Sequence, residues 1–313
     1  MKYRQLIKSS PKVSEIGLGA WQLGVNSGWK SVSEKEAVTI VRHSLDRGIN
    51  FIDTAPNYGN GTSEIRLGKA LKEIDREAIV INTKFGHTDS GTTNYEAGNI
   101  RKSLEGSLKR LQMDYVDSLI IHNPPPGYLD GNQNDHYEIL EQLKKEGKIR
   151  AYGASLDTYE EMKLLMDTTN SEVIEAFFNI LHQDTARAFD LATKNGVGII
   201  VKIPLDSGWL TGKYDENSTF NDIRSRWSEK DIQTRSLLVK KISEMVPEEK
   251  SLAEIALSFC LSYEAVSTII PGNTSLNQLE RNIASIENPI SKDLVSKLEN
   301  FYQDEVSKLN LPW

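Results

Sequence analysis

Asp53, Lys84 and His122 each stand at the end of a short run of β-branched and other apolar residues. A carboxylate beside a lysine keeps the ammonium charged, because each ion favours the charged form of the other. A histidine can donate a hydrogen bond to a carbonyl oxygen and orient it. If the fold brings these three residues together, their types predict chemistry at a carbonyl group.

A fourth group, the phenol of Tyr58, follows Asp53 in a loop that Pro56 and Gly59 are expected to structure. A tyrosine has an ordinary pKa of about 10 and is a poor acid at neutral pH. The ammonium of Lys84 would stabilise the phenolate and lower that pKa. The four residues predict protonation of a carbonyl oxygen while a hydride reaches its carbon. The hydride donor must be a cofactor, and no metal site is predicted.

The positions of these residues depend on short β-branched runs that alternate with stretches of helical period. Strands are predicted at residues 15–20, 50–53, 79–84, 116–122, 149–154, 173–178, 197–202 and 268–270. Helices are predicted at residues 33–47, 63–71, 99–111, 135–146, 159–167, 186–194, 231–245, 252–263 and 292–306. This order predicts a (β/α)8 TIM barrel with an N-terminal β-hairpin and extra C-terminal helices, as a single domain over residues 1–313.

In such a barrel the C-terminal ends of all strands meet at one rim, where active sites lie. A single polar residue at a strand end is as often an ordinary rim group as a functional one. Asp53, Lys84 and His122, however, end three successive predicted strands at equivalent positions. We therefore expect them to converge on one site.

Composition excludes several classes of protein. The net charge of −7 argues against nucleic acid or an anionic membrane as a partner. The only cysteine, Cys260, lies in an apolar helical stretch and is interpreted as a packed core thiol. The N-terminal segment lacks the apolar core of a signal peptide, and no apolar run is long enough to span a membrane. A soluble protein of the cytoplasm is expected.

The segment FIDTAPNYGNGTSE at residues 51–64 resembles the signature of the aldo-keto reductase superfamily. Four further segments match that family in its order: TKFG at 83–86, DYVDSLIIH at 114–122, IPLDSGWLTGK at 203–213 and IPGN at 270–273. The chain is similar in particular to the bacterial stress and inositol-operon reductases. The resemblance implies that Tyr58 is the general acid, that Lys84 with Asp53 lowers its pKa, and that His122 positions the substrate carbonyl.

The resemblance also implies a nicotinamide cofactor across the C-terminal rim, with NADPH favoured by the family and NADH left open. Carried over one by one, the cofactor contacts are Gly19, Ala20, Trp21, Asp53, Ser155, Glu175, Lys202, Pro204, Leu205, Ser207, Lys213, Gly272, Asn273, Thr274, Gln278, Arg281 and Asn282. The glycines at 17, 19 and 24 do not form a dinucleotide-binding fingerprint, because the third comes two residues too late.

Three positions depart from the family pattern. Leu156 stands where asparagine is usual, Glu175 where glutamine is usual, and Lys202 where many members carry an aromatic residue. A carboxylate can accept from a carboxamide but cannot donate to it. We therefore consider an ion pair between Glu175 and Lys202. Near the expected 2′-phosphate site, residues 273–278 are neutral and Arg281 is the only nearby cation.

The substrate is expected to be a small carbonyl compound or sugar bound by rim loops. Candidate pocket residues are Trp21, Trp29, Phe85, His122 and Asn123, with Trp227 a further candidate. A monomer or a weak homo-oligomer is expected. The alternative function is that of a cofactor-binding regulatory subunit, since barrels that resemble this one serve as potassium-channel β subunits and retain the four residues.

Overall fold

The computed structural model describes residues 1–24, 31–309 and 311–313, so Trp29 lies outside the described residues. The chain begins with an antiparallel hairpin of β1 (Tyr3–Arg4) and β2 (Val13–Ser14). An eight-stranded sheet follows, with strands β3 (Leu18–Gly19), β4 (Phe51–Asp53), β5 (Val80–Phe85), β6 (Val116–Ile121), β7 (Ile149–Leu156), β8 (Val173–Phe177), β9 (Gly198–Lys202) and β10 (Val266–Ile269).

Every strand of this sheet pairs in parallel with its neighbour in the sequence, from β3 to β10. Parallel bridges between Ile16 and Ile269 and between Gly19 and Gly272 join the first strand to the last. The amide of Gly17 donates to the carbonyl of Ile269 across the same seam at 2.8 Å. The sheet therefore closes, and the predicted (β/α)8 barrel with its N-terminal hairpin is confirmed.

Helices connect the strands on the outside of the barrel. They are α1 (Trp21–Gly24), α2 (Glu34–Asp46), α3 (Thr62–Leu71), α4 (Ala97–Leu111), α5 (His136–Lys145), α6 (Tyr159–Thr168), α7 (Phe189–Asn195), α8 (Glu229–Met245), α9 (Leu252–Leu261), α10 (Leu276–Ala284) and α11 (Lys292–Phe301). Ser33 caps α2 in a capping box with Glu36, as the sequence predicts. No described helix has the length and apolar character needed to cross a membrane.

The interior of the barrel changes character along each strand. Side chains alternate between the two faces of a strand. One buried apolar cluster contains the hairpin residues Leu6, Ile7 and Val13 together with Phe51, Val80, Ile120, Ala151, Val173, Ile200 and Ile270. Six polar residues lie two or four positions further along the same strands and therefore on the same face. They are Asp53, Lys84, His122, Ser155, Glu175 and Lys202. The apolar layer closes the N-terminal end of the barrel, and the polar layer forms the floor of the C-terminal rim.

The outer core lies between the sheet and the helices. Cys260 is fully buried on α9, where its thiol points to the carbonyl of Phe178 at 3.7 Å. Burial raises the pKa of this thiol well above its ordinary value. It is a packed thiol and carries no reactive thiolate.

Candidate active site

Lys84, at the end of β5, is the centre of the polar layer. Its ammonium donates to Asp53 Oδ1 at 2.6 Å, to the Thr54 carbonyl at 3.2 Å and to the phenolic oxygen of Tyr58 at 3.3 Å. Lys84 is fully buried and Asp53 is 2% exposed. Asn82 donates a second hydrogen bond to Asp53 at 2.7 Å. A buried ammonium needs such partners, because desolvation without them is costly.

Electrostatics keep the lysine charged and the phenol protonated. Burial would lower the pKa of Lys84, but the carboxylates of Asp53 and Glu175 raise it above its ordinary value. Burial raises the pKa of Tyr58 above its ordinary value, and Lys84 opposes that rise. Lys84 therefore lowers the pKa of Tyr58, as expected, but the net shift of that pKa is upward because burial has the larger effect. At neutral pH, Tyr58 holds its proton.

The carboxyl group of Asp53 also has a perturbed pKa. Burial and the negative charge of Glu175 raise it to about 7, although the ion pair with Lys84 pulls it down. A raised value beside a lysine looks contradictory, since an ammonium favours a carboxylate. It follows from the presence of two carboxylates near one ammonium.

His122 follows β6 directly, and its backbone amide donates to the Phe85 carbonyl at 2.9 Å. Its ring meets the ring of Tyr58 edge to face, with centroids 5.8 Å apart. Burial, together with the charge of Lys84, lowers the pKa of His122 well below its ordinary value. The imidazole is therefore neutral at neutral pH, with one nitrogen that donates. Its Nδ1 has no hydrogen-bond partner within the described structure.

A second polar group surrounds Ser155 on β7. The ammonium of Lys202 donates to Ser155 Oγ at 2.8 Å and to Asn123 Oδ1 at 2.7 Å, and it pairs with Asp157 at 2.8 Å. Ser155 Oγ also lies 3.1 Å from Glu175 Oε1. The expected ion pair between Glu175 and Lys202 is wrong. Lys202 pairs with Asp157, and Glu175 pairs across the barrel with Lys84 at 3.1 Å.

A cleft of about 1150 Å³ opens above this layer. The side chains of Tyr58, His122 and Asn123 line one part of it. Of the residues expected to contact the cofactor, those that line the cleft are Gly19, Trp21, Asp53, Ser155, Glu175, Lys202, Pro204, Leu205, Ser207, Lys213, Gly272, Thr274, Gln278, Arg281 and Asn282. The structure thus brings most of the predicted residues to one continuous surface.

Some predicted residues do not reach the cleft. Phe85 is fully buried in the outer core, because it follows the inward-facing Lys84 and so points to the other face of β5. Ala20 is buried, and its amide donates to the Asp53 carbonyl at 2.9 Å. Asn273 is buried and accepts from the Asn282 side chain at 2.9 Å. Trp227 is 5% exposed and packs near Trp209. These four side chains are therefore buried next to other residues and do not line the cleft.

Several residues near the site were not predicted, and His87 and Trp313 are two of them. The ring of His87 lies 4.7 Å from that of His122, centroid to centroid. Trp313 lines the cleft, where its indole nitrogen donates to Ser207 Oγ at 3.3 Å. His87 could have been predicted, because it lies three residues after Lys84, on the loop that follows β5. Nothing in the sequence indicates where a tail beyond α11 returns.

The backbone is strained along one side of the cleft. Ile203 has a φ of 56° and Ser207 a φ of 54°. Both values lie in the left-handed region, which residues other than glycine rarely adopt. Ile203 is β-branched, so the conformation is costly there. The side chain of Asn179 donates to the Ile203 carbonyl at 3.0 Å and helps to hold it. Strain of this kind is typical of ligand-binding loops.

Comparison with known proteins gives concordant matches. The family model described as "Aldo/keto reductase family" matches residues 15–303. An L-galactose dehydrogenase of Arabidopsis thaliana is 31% identical over 91% of this chain and 88% of its own. A protein of the same plant, named "Probable voltage-gated potassium channel subunit beta", is 30% identical over 92% of both chains. An aldo-keto reductase of Bacillus halodurans, solved in its holo form, superposes over all of both chains with a TM-score of 0.83 at 28% identity.

Proposed function

We propose that this chain, which belongs to the aldo/keto reductase family, is an NAD(P)H-dependent oxidoreductase whose general acid is Tyr58. It would reduce an aldehyde or ketone, or oxidise the matching alcohol or sugar. The observation that carries the proposal is the buried contact of Tyr58 with Lys84, 3.3 Å from oxygen to nitrogen, at the floor of the cleft.

The residues of the cleft fit a nicotinamide dinucleotide. The cleft is lined both by Asp53 at its floor and by Arg281 on α10. Ser155 and Lys202 would hold the nicotinamide carboxamide, because both present polar hydrogens near one another. Lys213 would add positive charge for the phosphates. When bound, the cofactor supplies the hydride that no side chain can provide.

The chain's own residues would supply the proton and the orientation. A carbonyl oxygen placed between Tyr58 and His122 would accept a hydrogen bond from each ring. As the carbon gains a hydride, with its two electrons, the phenolic proton moves to the oxygen and the product is an alcohol. The phenolate left on Tyr58 is stabilised by the Lys84 ammonium and takes up a proton from solvent. Oxidation of the alcohol is the same step reversed.

A substrate panel tests this proposal. Aldehydes, ketones, alcohols and aldoses are offered with NADH, NADPH and the two oxidised coenzymes in separate reactions. We expect steady-state turnover with at least one class of substrate. If no member of the panel gives coenzyme-linked turnover, the enzymatic function is wrong.

Within this function we propose NADPH as the preferred coenzyme, with Arg281 as the cation for its 2′-phosphate. Arg281 lies on α10, one helical turn beyond Gln278, and both line the cleft. The alternative is NADH, which Glu254 would favour, since this carboxylate also lines the cleft and would repel a phosphate. Arg281→Gln should raise KM for NADPH and leave KM for NADH unchanged. Equal effects on both coenzymes would exclude a phosphate contact.

A second candidate function comes from the relative named as a potassium-channel β subunit. A regulatory subunit of this kind would bind the coenzyme without rapid turnover. Fluorescence titration with NADPH, carried out beside the substrate panel, separates the two functions. Tight coenzyme binding with no turnover on any substrate would favour the regulatory one.

A further inference from the structure

We propose that Glu175 is a positioning residue, the second carboxylate counter-ion of Lys84, and that its charge sets the pH range in which Tyr58 exchanges its proton. The inference rests on the proposed function, in which Tyr58 is the acid. It assigns to Glu175 an electrostatic role that differs from the cofactor contact which the family resemblance implies.

The position of Glu175 is fixed by the fold. It lies on β8 and faces into the barrel, two residues beyond the apolar Val173 on the same face. Glu175 Oε2 lies 3.1 Å from the Lys84 ammonium, and both side chains are at most 3% exposed. Its other oxygen, Oε1, accepts from Ser155 Oγ at 3.1 Å. Lys84 therefore stands between two carboxylates, one from β4 and one from β8.

Above pH 7, where Asp53 is ionised, the charges of this cluster do not balance. Asp53 alone would neutralise Lys84, and Glu175 adds a further negative charge beside the phenol. A negative charge close to a phenol disfavours the phenolate. The carboxylates of Asp53 and Glu175 accordingly raise the pKa of Tyr58 beyond the rise that burial causes, and Lys84 opposes them. A neutral glutamine at position 175 would remove one of these two charges.

The other described groups around Glu175 do not form an ion pair with its carboxylate. Ser155, from β7, is neutral. His122, from the end of β6, is neutral because burial lowers its pKa. Lys202, from β9, is the remaining cation of the layer, and it pairs with Asp157 at 2.8 Å instead of with Glu175. Lys84 is thus the cation that contacts Glu175, and a change of charge at Glu175 acts on the pair that Lys84 and Tyr58 form.

The consequence is a displacement of the pH range for both directions of the reaction. Reduction needs a protonated Tyr58, so a carboxylate at position 175 extends reduction to higher pH. Oxidation needs the phenolate as base, so the same carboxylate moves the rise of oxidation to higher pH. The pH profiles of reduction and oxidation shift together because both depend on the proton of Tyr58.

The test is the pH profile of kcat in both directions for wild-type protein and for Glu175→Gln. We expect the alkaline fall of reduction and the rise of oxidation to move to lower pH in the variant by about one unit, the scale of one neighbouring charge. Glu175→Asp keeps the charge and should restore the profile toward wild type. Profiles that do not move, or that move to higher pH, would overturn the proposal.

Glu172→Gln is the matched control. Glu172 precedes the same strand at the opposite end of the barrel, where its carboxylate pairs with Lys144 at the surface. Removal of this charge should leave both pH profiles unchanged. An equal shift in this variant would mean that the effect comes from net charge and not from contact with Lys84.

A second readout needs no substrate and so separates this proposal from the proposed function. Burial and Glu175 raise the pKa of Asp53 to about 7, so the folded protein binds a proton that the unfolded chain releases at lower pH. In Glu175→Gln that pKa should fall toward its ordinary value. The denaturation midpoint of the variant minus that of wild type should therefore be higher at pH 8 than at pH 5. The same difference at both pH values would overturn the proposal, whether or not the protein shows turnover.

Discussion

Two buried aspartates at opposite ends of the barrel are held in different ways. Asp117, near the N-terminal end of β6, accepts from Arg76 at 2.7 Å, from Arg150 at 3.0 Å and from the amide of Ile81 at 2.9 Å. Asp53, at the C-terminal end of β4, accepts from Lys84 and from Asn82. Two arginines contact the first aspartate, and one of them, Arg150, also pairs with Glu77. Around the second, Glu175 competes for the single ammonium.

The difference shows where this barrel places stability and where it places reactivity. A buried carboxylate with several donors is satisfied, and it joins the segments that supply them. Two carboxylates that share one buried ammonium remain responsive to pH and to a neighbouring proton, as expected for a catalytic site. Both arrangements use the same residue type, so the environment alone decides the role.

The largest expected effect is that of Tyr58→Phe. It removes the proton that the C-terminal rim supplies, so kcat should fall by about a hundredfold to ten-thousandfold, the range for general acid catalysis. Coenzyme affinity should change little. Tyr115→Phe is the control at the opposite end, since this phenol also lies beside cations, with the Arg76 guanidinium 3.9 Å from its ring. Near-normal kcat in Tyr58→Phe would refute the acid assignment.

The second prediction concerns the pH dependence of stability. The pKa of Asp53 is raised from its usual 3.8 to about 7. A raised carboxyl pKa stabilises the folded protein at low pH, and this contribution is lost as the pH rises from about 4 to about 7. In Asp53→Asn the free energy of unfolding, measured by urea denaturation, should no longer show this loss, which amounts to at most about 4 kcal/mol. A slope that persists in Asp53→Asn would assign it to other groups.

The third effect concerns the N-terminal end. Asp117→Ala removes the carboxylate that Arg76 and Arg150 share, although Arg150 keeps its pair with Glu77, and should lower the free energy of unfolding by about 3 kcal/mol. The effect stays at the lower end of the range for buried pairs because both arginines are partly exposed. The kcat of the folded protein should be unchanged, since the described partners of Asp117 lie outside the cleft. A loss of kcat in Asp117→Ala without a loss of stability would contradict the assignment of Asp117 to stability and not to catalysis.

The smallest effect is expected from His87→Ala at the rim. The ring of His87 packs at 4.7 Å from that of His122, so its removal should loosen the substrate-orienting imidazole. We expect a few-fold rise in KM for the carbonyl substrate and a thermal midpoint close to wild type. A wild-type KM would show that His122 keeps its orientation without this neighbour.

The sequence predicts the fold and the central residues because both depend on local pattern. Short β-branched runs indicate the strands, and titratable residues at their ends indicate the rim. The burial of Phe85 was predictable by the same rule, since its neighbour Lys84 faces inward and adjacent strand residues face opposite sides. The error came from reliance on the family segment instead of on the alternation.

Other features depend on distances across the barrel, which no local pattern contains. Glu175 contacts Lys84 three strands away, although Lys202 lies on the adjacent strand. The return of Trp313 to Ser207 depends on contacts of the tail, where Arg235 on α8 donates to the Pro312 carbonyl and pairs with Asp206. Such contacts follow from tertiary packing, and the sequence alone does not predict them.

The seam of the barrel has a consequence for its motions. The first and last strands meet through the Ile16–Ile269 and Gly19–Gly272 bridges. Local opening favours places with little hydrogen bonding, so amide exchange at Gly17 and Ile269 should be fast relative to that of the central strands. Gly19 and Gly272 also line the cleft. We therefore expect a ligand that contacts both glycines to stabilise the junction of the first and last strands and to slow amide exchange there.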